Sequence, residues 1–148
     1  MLGEVDIFQV QPGYEFYGHA NINYVQLDRV PHFADGWAPL LEALRAGRFF
    51  TTTGEILITD VAVTRAPDKP STLRAHLQWT FPLSYAEIVG GDGANVYRHR
   101  VDLTDTQEHG ELDFTVDLPA ELSACRWLRL EVWDAASNGA FTQPLWRE

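Results

Sequence analysis

The sequence predicts a mainly β protein, an immunoglobulin-like antiparallel β-sandwich with one short N-terminal helix. Two stretches, 73–80 and 111–118, alternate apolar and polar residues with a period of two, which is the pattern of strands with one buried face. Short strands of this kind, separated by turn residues, are typical of a sandwich and not of a parallel α/β sheet. A chain of 148 residues is long enough to bury one core of its own.

One helix is predicted, over residues 37–46. Pro39 falls in its first turn, where the missing N–H is not needed, and Gly47 follows it as a left-handed C-terminal residue would. Apolar side chains recur at helical spacing and form one stripe. The stripe consists of Trp37, Leu40, Leu41 and Leu44.

The β region has two irregular points. The phase of the apolar alternation changes between Ile58 and Val61, which predicts a β-bulge near Thr59 and Asp60. The glycine-rich run 90–93 is interpreted as the turn between two further strands.

The character of the chain changes near residues 51–54. Before that point we expect a strand around Ile22 and Tyr24, a loop and the helix, and after it almost everything has strand periodicity. The sequence is therefore divided into a strand-loop-helix segment, 1–54, and a β-sandwich domain, 55–148.

The composition excludes several classes of partner. The net charge is −10 and the 11 Lys and Arg residues are scattered, so we expect neither nucleic acid nor an anionic membrane to be bound. Glu4 and Asp6 stand where a signal peptide has basic and then apolar residues, so none is visible and the compartment is left open. The single cysteine, Cys125, is expected to be a buried structural thiol.

Four polar residues are weak candidates for a site. Glu15 and His19 would share a face only in a helix, which the surrounding aromatic residues and glycines disfavour, and two ligands do not make a zinc site. We expect a loop there in which His19 and Asn21 bond to backbone. His99 falls on the apolar face of its strand and is expected to be a buried, neutral histidine. No metal site and no catalytic residue is predicted.

The strongest candidates lie on one strand, 127–133. Its even-numbered residues form a core face, which leaves Trp127, Arg129, Glu131 and Trp133 on the opposite face. Two tryptophans on an outer face are costly unless something covers them. The helix stripe, an adjacent domain or a stacked sugar is each a candidate cover. The first would be packing within the chain, and the second a docking interface, where Trp and Arg are enriched.

The run LEALRAGRFFTTTG at 41–54 resembles the passage from helix to strand that ends the catalytic domain of PHP-type (polymerase and histidinol phosphatase) metallohydrolases, in the carbaryl-hydrolase-like branch. The stretches 127–133 and 141–146 are similar to the last two strands of the sandwich-like tails of that family. The family's metal ligands lie in H-x-H and D-x-H patterns. None of the five histidines of this chain stands in either pattern, so no ligand is carried over.

The resemblance implies a noncatalytic C-terminal β-sandwich of a larger PHP-like metal-dependent hydrolase. Its partner would be the upstream catalytic domain or another subunit, and the divalent metal would belong to that domain, with no cofactor in this chain. The alternative is an independent carbohydrate- or protein-binding module with Trp127 and Trp133 at the contact.

Overall fold

The computed structural model describes residues 21–66 and 69–147 and confirms the predicted sandwich, two antiparallel sheets packed face to face. Sheet A consists of seven strands in the order β1-β2-β9-β8-β5-β6, with β10 also paired to β8. Sheet B is the three-stranded sheet β3-β4-β7. The strands are β1 (Ile22–Val25), β2 (Phe49–Thr52), β3 (Ile56–Ala66), β4 (Lys69–Trp79), β5 (Leu83–Gly91), β6 (Val96–Asp102), β7 (Gly110–Asp117), β8 (Trp127–Asp134), β9 (Gly139–Thr142) and β10 (Leu145–Trp146).

The predicted helix is confirmed as α1 (Ala38–Arg45), followed by Gly47 at a φ of +71°. A second helix of a single turn, α2 (Ala120–Ser123), and a 3-10 turn at Phe33–Asp35 were not predicted, because they are too short to show a periodicity. No helix in the described ranges is long and apolar enough to cross a membrane.

The predicted helix stripe does not cover the outer face of β8. Ala43 is the one buried residue of α1, and Trp37 and Leu41 of the stripe are 75% and 44% exposed. The helix belongs to the connection between β1 and β2 and lies against β1, at the edge of sheet A. A helix tied to an edge strand in this way is held away from β8 in the middle of the sheet.

The core lies between the inner faces of the two sheets. Leu128, Leu130 and Val132 of β8 are fully buried there, opposite Leu73 and Leu77 of β4. The two alternating stretches are thus confirmed as half-buried strands, β4 and β7. Burial of inner faces is the main source of stability in a sandwich of this kind.

The predicted bulge is confirmed: the register between β3 and β4 shifts after Thr59, and Asp60 has a φ of +52°. The predicted glycine turn is partly wrong. Gly90 and Gly91 are the last residues of β5, and the turn follows them at 92–95. Glycine is needed in the strand because a Cβ at Gly90 would lie 2.6 Å from the Leu128 side chain.

The predicted chain division at residue 54 falls between β2 and β3. On its N-terminal side, β2 hydrogen-bonds to β9, so β1 and β2 are part of sheet A together with the strands that follow residue 54. Cys125 is fully buried, as predicted, and burial raises the pKa of its thiol.

Candidate functional site

The outer face of sheet A brings together the four residues predicted on strand 127–133. Trp127, Arg129, Glu131 and Trp133 all point away from the core, since the residues between them are fully buried. Their neighbours follow from the register, because residues paired across antiparallel strands share a face. The face consists of four cross-strand rows: Trp146, Trp127, Gly91 and Val96; Arg129, Val89 and Arg98; Phe141, Glu131, Glu87 and Arg100; Gly139, Trp133, Tyr85 and Asp102.

Both tryptophans of β8 lie against a glycine of a neighbouring strand. A Cβ added to Gly91 would come within 2.7 Å of the Trp127 ring, and one added to Gly139 within 2.6 Å of the Trp133 ring. The rings therefore occupy the space above these glycines, and both tryptophans are half-buried. Neighbouring strands of sheet A therefore shield part of each tryptophan ring from solvent.

Two carboxylates face each other in the middle of this surface. Glu87 and Glu131 are cross-strand partners, and each is only 8% exposed. Arg98 and Arg100 both pair with Glu87, the second with its Nη2 3.5 Å from Glu87 Oε1. Arg129 pairs with Glu131, two residues along the same strand and on the same face.

Arg100 and Arg129 have further features besides their ion pairs. The Arg100 guanidinium lies 3.9 Å from the centroid of the Tyr85 ring, a cation–π contact. Arg129 Nε is buried and has no hydrogen-bond partner among the described residues. An unsatisfied buried donor is uncommon, so this nitrogen marks a position where the surface lacks an acceptor.

The row at one end of the face is apolar and largely open. Trp146 is 69% exposed and Val96 is 62% exposed, with the half-buried Trp127 in the same row. We did not predict these two residues as site residues. Trp146 belongs to a strand of two residues, which is too short to show a periodicity. Val96 was detectable as an apolar residue in phase with Arg98 and Arg100.

The remaining candidates are not brought to this face. Glu15 and His19 lie outside the described residues. Asn21 is exposed just before β1. His99 is on the inner face of β6, as predicted, but it is half-buried and its side chain makes no hydrogen bond with the described residues, so the predicted burial is wrong. The reason is that β6 is an edge strand, which the opposite sheet covers incompletely.

Within the described ranges, no group of three or more His, Cys, Asp or Glu side chains is arranged to hold a metal ion. Comparisons with protein-family models, with curated proteins and with solved structures give no match to this chain. The outer face of sheet A thus combines aromatic rings with ion pairs, a combination that suits contact with the surface of another protein.

Proposed function

We propose that this chain is a noncatalytic accessory β-sandwich that docks through the outer face of sheet A onto a neighbouring domain or subunit. The observation that carries the proposal is the open apolar row, in which Trp146 and Val96 are 69% and 62% exposed beside Trp127. Adjacent exposed apolar residues on a folded domain mark an interaction surface more often than isolated ones do.

The polar part of the face supports the same role. Tryptophan, tyrosine and arginine are the residue types that carry most of the energy at protein interfaces. Arg98 and Arg100 are 56% and 60% exposed at their side chains, although Glu87 holds both of them. Side chains already fixed by an ion pair lose less conformational entropy when a partner binds them.

The parent protein is the second part of the proposal. The resemblance at 41–54 favours a PHP-like metal-dependent hydrolase, in which this sandwich would pack on the catalytic domain or mediate assembly. The metal and the chemistry would then belong to the catalytic domain.

A first experiment is an immunoblot of source cells with an antibody raised against this chain. After native electrophoresis, a band far above 16.7 kDa is expected, because an accessory domain belongs to a longer polypeptide or a stable complex. A band at 16.7 kDa with the native mass of a single chain contradicts the proposal. Hydrolysis of phosphoesters or carbamates by the purified chain with added Mn²⁺ or Zn²⁺ would contradict the noncatalytic role.

A second experiment locates the docked face by oxidative footprinting. We expect Trp146 to be oxidised more slowly in the longer polypeptide or complex than in the isolated chain. Phe81, which is 47% exposed near the start of β5, serves as the control because it lies at the other end of that strand from Gly91. Equal oxidation of Trp146 in both samples would exclude docking through the apolar row.

The alternative, an independent carbohydrate- or protein-binding module, is favoured by the flat placement of Trp127 and Trp133 over glycines. It requires that Trp127→Ala and Trp133→Ala abolish ligand binding with little loss of stability. Because each ring covers a glycine, we instead expect both substitutions to lower the free energy of unfolding.

A further inference from the structure

A cleft of about 700 Å³ opens at the edge of the sandwich, between β1 and β2 of sheet A and the bulged strand β3 of sheet B. Sheet B ends at β3, which lies over β9, whereas sheet A continues through β2 to β1. Among the described residues, sheet B therefore does not cover the inner face of β1. Ile22 and Tyr24 on that face are 41% and 43% exposed, although they alternate as a buried face would.

The walls of this cleft are partly apolar and partly polar, and the apolar part includes two aromatic rings. The rings of Tyr24 and Phe50 stack with their centroids 5.1 Å apart and their planes 3° from parallel. Ile58 and Val61 of β3 line the opposite side. Both the volume and this aromatic lining are typical of clefts that bind small organic molecules.

Two cations stand at the rim. Arg48, just before β2, lines the cleft, and so does Arg74, which belongs to the outer face of β4 and pairs with Ala62 beside the β3 bulge. Both are exposed, and neither forms an ion pair or side-chain hydrogen bond with any described residue. This is notable in a chain whose net charge is −10.

Asp60, at the bulge, also lines the cleft. Its charge acts on His76, whose pKa is raised first by a hydrogen bond to Asp113 and, among smaller causes, by attraction to Asp60.

We propose that this cleft binds an organic anion with an apolar body. The apolar part packs against the stacked rings of Tyr24 and Phe50, and the carboxylate or sulfonate is held by Arg48 and Arg74. Arginine is suited to this because its planar guanidinium donates two parallel hydrogen bonds to such groups. The inference does not depend on the docking proposal, because no residue of the docking row lines the cleft.

The test is a fluorescence titration with 1-anilinonaphthalene-8-sulfonate, which has an aromatic body and one sulfonate. We compare the unsubstituted chain with the double variant Arg48→Gln/Arg74→Gln. A matched control, Arg45→Gln/Arg147→Gln, removes the same charge from exposed positions outside the cleft. Circular dichroism and the urea midpoint establish that all three are folded.

We expect saturable binding of one dye molecule, weakened at least about tenfold in the cleft variant and less than about twofold in the control. 4-Phenylbutyrate should displace the dye at concentrations at which acetate does not, because only the former has an apolar body. Equal weakening in both variants would mean nonspecific charge attraction and would overturn the proposal. Absence of saturable binding, or displacement by acetate as effective as that by phenylbutyrate, would overturn it as well.

Discussion

The outer faces of the two sheets follow the same alternation but differ in what they hold. On sheet B, small polar pairs link β4 to β7: Thr72 Oγ1 donates to Asp117 at 2.9 Å, and His76 Nδ1 lies 2.9 Å from Asp113 Oδ1. These carboxylates are exposed. On sheet A, the corresponding positions hold half-buried tryptophans and two carboxylates that are only 8% exposed.

The width of the sheets accounts for much of this difference. In sheet A, β5 and β8 have neighbours on both sides, and the carboxylates Glu131 and Glu87 stand in one row between Phe141 and Arg100. In sheet B, β4 is the one central strand, and β7 is an open edge. An outer-face residue in a wide sheet is therefore desolvated by its own layer, and its charge needs a partner.

The largest expected effect is that of removing a cation from the outer face of sheet A. Arg129→Met leaves the Glu131 carboxylate buried without its ion-pair partner and should lower the free energy of unfolding by about 2–3 kcal/mol, less than for a fully buried pair because the Arg129 side chain is 28% exposed. The matched substitution Arg74→Met, on the outer face of sheet B, should have little effect. Urea denaturation measures both.

The double variant Arg129→Met/Glu131→Leu sharpens this comparison. Replacing both charges by apolar side chains removes the unpaired carboxylate, so most of the lost stability should return. If the double variant is as unstable as Arg129→Met alone, packing of the arginine stem and not its charge is the important contribution.

The next effect concerns the contact between Trp133 and Gly139. Gly139→Ala should lower the free energy of unfolding by about 1 kcal/mol, because the added methyl group displaces the Trp133 ring and this outweighs the usual preference for alanine over glycine in a strand. In a Trp133→Leu background the same substitution should be neutral or stabilising. A similar loss in both backgrounds would mean that the ring does not set the requirement for glycine.

How far the sequence predicts this fold follows from these examples. Periodicity identified the faces of β4, β7 and β8 and even the bulge at Asp60, because each depends only on local alternation. It also assigned Arg129 and Glu131 to one face. It was not able to predict that Glu131 meets Glu87, because that contact depends on the register between β8 and β5.

The same limit applies to the helix and the cleft. The apolar stripe on α1 is a local feature of the sequence. Whether the stripe is buried depends on the position of α1, which lies in the β1–β2 connection at the edge of sheet A. The cleft exists because sheet B ends at β3 while sheet A continues, and no local pattern carries the number of strands in each sheet. Likewise, Trp146 became a candidate only through its pairing with Trp127.

The smallest effect is a pH dependence on the outer face of sheet B. The pKa of His76 is raised, mainly by its hydrogen bond to Asp113, so the protonated imidazole is favoured in the folded state. The stability from this pair is fully present below the unfolded histidine pKa of about 6.5 and is lost as the pH rises through the higher folded value. Asp113→Asn should lower the His76 pKa in an NMR titration, whereas Glu131→Gln, on the other sheet, should leave it unchanged. An unchanged His76 pKa in Asp113→Asn would mean that the exposed carboxylate is too well solvated to act on the ring, which would make the outer face of sheet A the one where charge pairing matters.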